Sequence, residues 1–310
     1  MITFFTTAKP FEGHTGVIQR NALTSWKLLD PDVEVILFGD EAGAAEIASE
    51  LGIRHEPQVS RNQFGKKRLD DMFASAQAMA RHEILCYSNC DIILLPDFFQ
   101  AVKRINNVYK NFLAIGTRWN SDISEMIDFS HPDWQSNLKE AVLRQNQPQD
   151  EWFIDYFAFS RGLYPEIPPL VVGPIYWDNW MVWKALQMDK KVLDISPVVI
   201  AVHQNHDYKH HAMGKQGMYG GEEAALNLKH AGGKEHLRCI GDATHVVLKN
   251  RIKKNFRRHW TKFDRAAPSL ARFLRFRLWN PTFFFFLGIT RPVRAALGLR
   301  SAATLARSKK

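Results

Sequence analysis

Cysteine is scarce in this chain. Of 310 residues only Cys86, Cys90 and Cys239 carry a thiol, and no two of them form a CxxC pair. An odd count at that spacing argues against a disulfide framework or a zinc site and fits a reducing compartment. Long hydrophobic runs are also missing. Even the four-phenylalanine stretch at 283–289 falls far short of the ~20 residues that span a bilayer. The first residues, Met1-Ile2-Thr3-Phe4-Phe5-Thr6-Thr7, have no basic flank and no long apolar segment, so no secretory signal is expected. Acidic residues almost vanish after residue 248. Residues 249–310 hold one, against 17 Lys and Arg, whereas residues 1–248 hold 31 against 24. The formal net charge of +9 therefore belongs to an appendage and says little about the ligand of the body.

What is present reads as a folded α/β body. Apolar content of 45% and charged content of 24% are ordinary for a globular chain with a large core. A first strand at 2–5 leads through Thr6-Thr7-Ala8-Lys9-Pro10 to a helix at about 17–29, with Ile18, Ala22, Trp26 and Leu29 three or four apart. A second strand at 33–38 ends in Gly39-Asp40, and a helix at 41–51, a short strand at 52–56 and a helix at 69–80 follow. Then come the apolar run through Leu85, a helix near 98–108 and a strand at 112–116 that leads into Thr117-Arg118-Trp119. Such alternation predicts a mostly parallel sheet covered on both faces. Residues 120–150 read as a surface insertion with one helix near 135–144. A strand at 155–160, a Pro-rich loop, a helix from about 181 and short apolar runs at 192–195 and 198–202 complete the body.

Several polar residues fall where such a sheet binds ligands. At Asn89-Cys90-Asp91 a buried strand breaks off and then resumes as a short second strand, and a carboxylate there must be paired, bind a cation or cap a turn. Thr6 follows the first strand, Arg20 could reach a phosphate or simply face solvent, and Asp40 could hold a ribose or cap the next helix. Asp178 opens a helix inside Tyr176-Trp177-Asp178-Asn179-Trp180. His203 and His206 end an apolar run in a loop dense in metal and phosphate donors.

Phe4-Phe5-Thr6-Thr7 with Arg20-Asn21-Ala22, Phe38-Gly39-Asp40, Asn89-Cys90-Asp91, Trp177-Asp178-Asn179-Trp180 and His203-Gln204-Asn205-His206-Asp207-Tyr208 occur in this order. In that set the chain resembles a GT-A-type glycosyltransferase of the nucleotide-diphospho-sugar transferase superfamily, over roughly residues 1–248. The resemblance implies a GT-A Rossmann-like fold, a mostly parallel sheet flanked by helices, and transfer of a sugar from a nucleotide-diphosphate donor to a hydroxyl acceptor. It implies that Asp91 stands at the last position of the family's Asp-x-Asp motif and binds Mn²⁺ or Mg²⁺, with His203 or His206 as a further ligand. Asn89 stands at the first position, which removes one carboxylate. Asp178 would be the general base, with Trp177 and Trp180 against sugar rings. Thr6, Arg20, Asp40 and Asn89 would lie on the nucleotide side, and Lys215 in a loop that closes over the phosphates. Arg118 and Asp155 complete the candidate substrate contacts.

Two alternatives stand beside this. A sugar-1-phosphate nucleotidyltransferase shares the sheet but needs a Gly-rich, Arg-containing loop, which Phe5-Thr6-Thr7-Ala8-Lys9-Pro10 lacks. A non-catalytic scaffold docked through its tail would explain Asn89. The tail, residues 249–310, mixes Lys and Arg with Phe, Trp and Leu and reads as a basic helical extension. That pattern suits an anionic membrane surface, with nucleic acid disfavoured by the consecutive phenylalanines. Packing on the acidic body is the plain alternative. The expected protein is cytoplasmic and peripheral on the inner face of the membrane, with a lipid-linked or polysaccharide acceptor.

Overall fold

The computed structural model describes residues 1–206 and 220–267. Its first part runs β1 (Thr3–Thr7), α1 (Gly13–Lys27), β2 (Glu34–Phe38), α2 (Ala44–Leu51), β3 (Arg54–Glu56), α3 (Leu69–Met79) and β4 (Ile84–Ser88). Then follow β5 (Ile92–Ile93), α4 (Pro96–Val108), β6 (Phe112–Ile115), β7 (Arg118–Ser121), α5 (Trp134–Gln145) and β8 (Tyr156–Ser160). The last described part holds α6 (Trp177–Gln187), β9 (Lys191–Asp194), β10 (Ala201–Gln204), the helix Glu222–His230, β11 (His245–Val247), β12 (Ile252–Lys254) and the helix Arg257–Ala266.

Nine strands form the main sheet in the order β12-β11-β9-β6-β8-β4-β1-β2-β3. β8 runs antiparallel to both its neighbours and β12 to β11, while the other pairings are parallel. Strand alternation sends successive side chains to opposite faces, and both faces are apolar. Phe4, Val35, Leu37 and Cys86 enter one core with Trp26 of α1 and Phe98 of α4. Phe5, Ile36, Phe38 and Tyr87 enter the other with Phe73 of α3 and Met181 of α6. The three cysteines are free and buried.

The departure from the sequence reading is a second, three-stranded sheet, β5-β10-β7. Its strands are short, and β7 lies at the start of the stretch read as an irregular insertion. β10 pairs antiparallel with β5, setting His203 opposite Ile92, and parallel with β7. This small sheet is what brings residues 91, 118 and 203 together.

Nor does the main sheet stop at residue 248. β12 pairs with β11, Asn255 Nδ2 donates to Ala243 O at 3.0 Å, and Arg265 pairs with the buried carboxylate of Asp242 at 2.6 Å. Residues 249–267 therefore pack on the body, and residues 268–310 lie outside the described ones. No helix among the described residues is long and apolar enough to cross a membrane.

Phe73 carries much of the second core: its ring stacks on Tyr87 and Phe159 and meets Phe5 edge-on at 4.8 Å. Phe73→Ala should lower unfolding stability by about 3–5 kcal/mol, read from urea titration of the folded chain.

Candidate active site

A cavity of about 610 Å³ opens at the carboxyl ends of β1 and β4. Asp91 sits in its wall because the chain turns sharply between β4 and β5. Asn89 N donates to Asp155 O at 2.9 Å, and Ile92 N returns to Asn89 O at 3.2 Å. The Asp91 carbonyl accepts from Gln204 N at 3.1 Å, which fixes the turn against β10. Gln204, fully buried, donates through Nε2 to Ile18 O of α1 at 2.7 Å and accepts from Asn21 Nδ2 at 3.0 Å. Helix α1, the β4–β5 turn and β10 are thereby locked as one piece.

Asp91 Oδ2 lies 3.2 Å from His206 Nε2 and 3.6 Å from His203 Nε2. One ligand atom from each of the three falls within 4.8 Å of the others. Burial works to raise the Asp91 carboxyl; the imidazoles of His203 and His206 and the Arg118 guanidinium outweigh it and hold it well below the ordinary range. Burial pushes the His203 imidazole down, against the pull of Asp91. The trio at neutral pH thus includes a carboxylate and a neutral imidazole, the forms that ligate divalent metals. Asp91 Oδ1 and His203 Nδ1 are buried with no hydrogen-bond partner among the described residues. Unpaired acceptors of that kind are what a cation would satisfy.

Asp178 lines the same cavity in the first turn of α6. The residue before the helix, Tyr176, has φ 87°, a left-handed conformation that costs a non-glycine residue of order 1–3 kcal/mol. The helix Glu222–His230 holds the loop into this turn: Asn227 accepts from Val171 N and donates to Val171 O, both at 3.0 Å, and donates to Ile175 O at 3.3 Å. Burial pushes the Asp178 carboxyl up to about 7, and its Oδ1 has no hydrogen-bond partner among the described residues.

Asn89, Arg118, Asp155 and Trp177 also line the cavity. Asp155 is gripped by Arg118, whose Nη1 donates to both carboxylate oxygens at 3.0 and 2.9 Å, and by Asn89 Nδ2 at 2.7 Å. The ring of Trp177 packs on Tyr87 at 5.2 Å and on Phe157 at 5.4 Å.

Four proposed contacts sit elsewhere. Thr6 is buried and donates to Ser88 O at 2.6 Å, joining β1 to β4; by strand alternation the neighbour, Thr7, lines the cavity. Arg20 projects from α1 towards Glu50 of α2, with 2.8 Å to both carboxylate oxygens. Asp40 is exposed and pairs with Arg61 at 2.5 Å, while Glu41 faces inward and pairs with Lys67. Trp180 lies one turn beyond the rim, buried against Trp183. Lys215 lies outside the described residues.

Sequence reading passed over part of the wall. Lys67 is buried, donates to Ala8 O at 3.0 Å and, with Lys9, Arg61 and Lys66, lines the end of the cavity near β1. Of these residues the sequence offers only the triplet Lys66-Lys67-Arg68, which reads as a solvated turn or as one contact to a diphosphate. Trp152 and Phe153 also line the cavity and lack any motif of their own.

The raised carboxyl of Asp178 has a consequence for stability without added metal. Between the ordinary carboxylate pKa of about 4 and about 7 the folded chain keeps a proton that the unfolded chain has released. Stability then falls as pH rises through that window. Asp178→Asn should remove this component, so that urea midpoints of variant and wild type diverge, in the variant's favour, on going from about pH 4 to about pH 8.

No family model and no curated protein sequence matches the chain. Among solved structures it is similar to glucosyl-3-phosphoglycerate synthase from Mycobacterium tuberculosis in complex with Mg²⁺ and uridine diphosphate, with 15% identity over 75% of this chain and 80% of that one, TM-score 0.47. It is also similar to the mannosyltransferase PcManGT from Pyrobaculum calidifontis in complex with GDP-Man and Mn²⁺, with 14% identity over 68% of this chain and 59% of that one, TM-score 0.44. A third is S. aureus TarS 1–349 in complex with UDP-GlcNAc, with 9% identity over 66% and 59%, TM-score 0.44.

Proposed function

We propose that this protein is a glycosyltransferase that moves a sugar from a nucleotide-diphosphate donor to an acceptor hydroxyl, lipid-linked or on a polysaccharide, with Mn²⁺ or Mg²⁺ as cofactor. One observation carries the reading. Asp91, His203 and His206 share one cavity with Asp178 and with five cationic side chains, although the chain scatters them over more than a hundred residues. Asp91, His203 and His206 fit a divalent cation by donor type, spacing and unsatisfied atoms, and would hold it. When bound, such a cation supplies Lewis-acid stabilisation of a leaving diphosphate.

The chain's own residues do the rest. Lys9, Arg61, Lys66 and Lys67 give one end of the cavity donors suited to a diphosphate. Tyr176, Trp177, Phe153 and Trp152 line the cavity with apolar faces on which a sugar ring can pack. Asp178 accepts the proton of the attacking hydroxyl onto its carboxylate. A base whose pKa lies near neutrality is matched to that task, and it acts only in its ionised form. Activity therefore rises with pH through about 7.

The test uses the full chain with UDP-, GDP- and dTDP-sugars. Thermal denaturation should show one donor stabilising the protein in the presence of Mn²⁺, by ~2.7 kcal/mol at a hundredfold excess over Kd. Mn²⁺ should give a larger shift than Mg²⁺, and Asp91→Asn or His203→Ala should abolish the metal-dependent part. If no donor shifts the transition with either metal, the donor reading fails.

Release of nucleotide diphosphate from that donor, without added acceptor, reads the base. Asp178→Asn should lower this rate by ~10²–10⁴ while donor affinity stays unchanged. The wild-type limb near pH 7 should vanish with it. Unchanged turnover in the variant removes Asp178 from the chemistry.

A further inference from the structure

The described part of the basic segment presents a surface of one chemistry. Arg251, Lys253 and Lys254 are exposed on and beside β12, the strand at the edge of the main sheet. Phe256 follows with 70% of its surface exposed, more than any other large apolar side chain described. The helix Arg257–Ala266 continues it with exposed Arg257, His259, Lys262 and Arg265, while Trp260 and Phe263 meet edge-on at 5.9 Å.

This surface is anchored rather than tethered. Arg104 of α4 donates to the carbonyl of Lys249 at 2.5 Å, and Asn255 donates to Ala243 O at 3.0 Å. Arg257 pairs with Glu151, the residue before Trp152, which lines the cavity and is itself 45% exposed. The basic surface and the aromatic lining of the cavity are thus joined through one ion pair and one peptide bond.

We propose that this surface docks on an anionic lipid bilayer, with Phe256 entering the interface and the exposed cations of β12 and of the helix Arg257–Ala266 supplying the attraction to the headgroups. An exposed aromatic ring flanked by cations is what an interfacial segment needs, and each cation adds to the attraction. Charge complementarity favours this occupant. Residues 268–310 add nine further Lys and Arg and no acid, and their phenylalanine run suits acyl chains better than bases. Nucleic acid would call for a series of exposed aromatic faces for stacking, and the described surface offers one. Docking in this way sets the cavity wall at Trp152 beside the bilayer. That last step rests on the glycosyl-transfer reading, whose acceptor would then be a lipid-linked hydroxyl.

Co-sedimentation of the full chain with vesicles tests the proposal. Phosphatidylglycerol–phosphatidylcholine vesicles should bind the protein at low salt and release it at high salt, and pure phosphatidylcholine should not bind it. The double variant Lys253→Glu/Lys254→Glu should lower partitioning at least about tenfold. Phe256→Ser should lower it as well, whereas Lys229→Glu, on the helix Glu222–His230, should leave it unchanged. All three should keep the wild-type thermal transition and donor hydrolysis. Equal binding to phosphatidylcholine, or wild-type partitioning by the charge and phenylalanine variants, overturns the proposal. So does tighter binding of a single-stranded RNA oligonucleotide that the same variants abolish. Partitioning is read without turnover, so lost hydrolysis with intact vesicle binding strikes the enzymatic reading alone.

Discussion

The structure depends on how it accommodates one partly buried carboxylate. Asp91 keeps 19% of its side-chain surface exposed while its Oδ1 is covered, and an ionised group so placed is costly unless it is paired. The chain answers with two imidazoles delivered by β10, a strand of four residues that reaches the site from 110 positions further along. Keeping β10 there requires the three-stranded sheet, the Gln204 amide bridging α1 to the Asp91 carbonyl, and Trp26 Nε1 donating to Ile92 O at 2.9 Å. Disturbing any of these moves the imidazoles away from the carboxylate beside which they are held.

A second carboxylate, Asp178, receives the opposite treatment. Among the described residues no cation pairs with it and one of its oxygens has no partner, and burial raises its pKa where Asp91 is held low. Two acids in one cavity whose environments drive them apart are suited to different tasks, one to bind charge and one to move a proton. The left-handed Tyr176 belongs to the same arrangement. A glycine would adopt that conformation without strain, and the tyrosine persists because its ring walls the cavity and Asn227 clamps the loop behind it.

Much of this was legible in the sequence, and what was not has identifiable reasons. Apolar runs gave the long strands, because a sheet covered on both faces demands them; the 3.6 period gave α1 and α3. The apolar run after Asp91 announced β5 as a short second strand, but β7 was invisible, because Arg-Trp-Asn-Ser shows no apolar run and its arginine enters the site. Thr6 and Asp40 missed the cavity by one position each, because periodicity identifies a strand end without saying which neighbour faces inward. Arg20 answers to Glu50, a partner that no local pattern reveals. Asp178 could be singled out because a charged residue among tryptophans at a helix start is rare. Its raised pKa could not, because that depends on surfaces brought up by distant residues.

Asn89 shows how such a departure from a motif can be forced from elsewhere. Its amide donates to Asp155 Oδ1 at 2.7 Å, and Arg118 holds the other side of that carboxylate. An aspartate at position 89 would set two carboxylates at hydrogen-bond distance with one guanidinium between them, and one would have to take up a proton. The asparagine therefore completes the Arg118–Asp155 pair, and the neighbouring cluster of Asp91, His203 and His206 has one carboxylate and two imidazoles. A set rich in nitrogen suits Mn²⁺ better than Mg²⁺, whose small, hard ion favours carboxylate and water oxygens. Were a cation held by Asp91, His203 and His206, the make-up of that donor set would favour Mn²⁺.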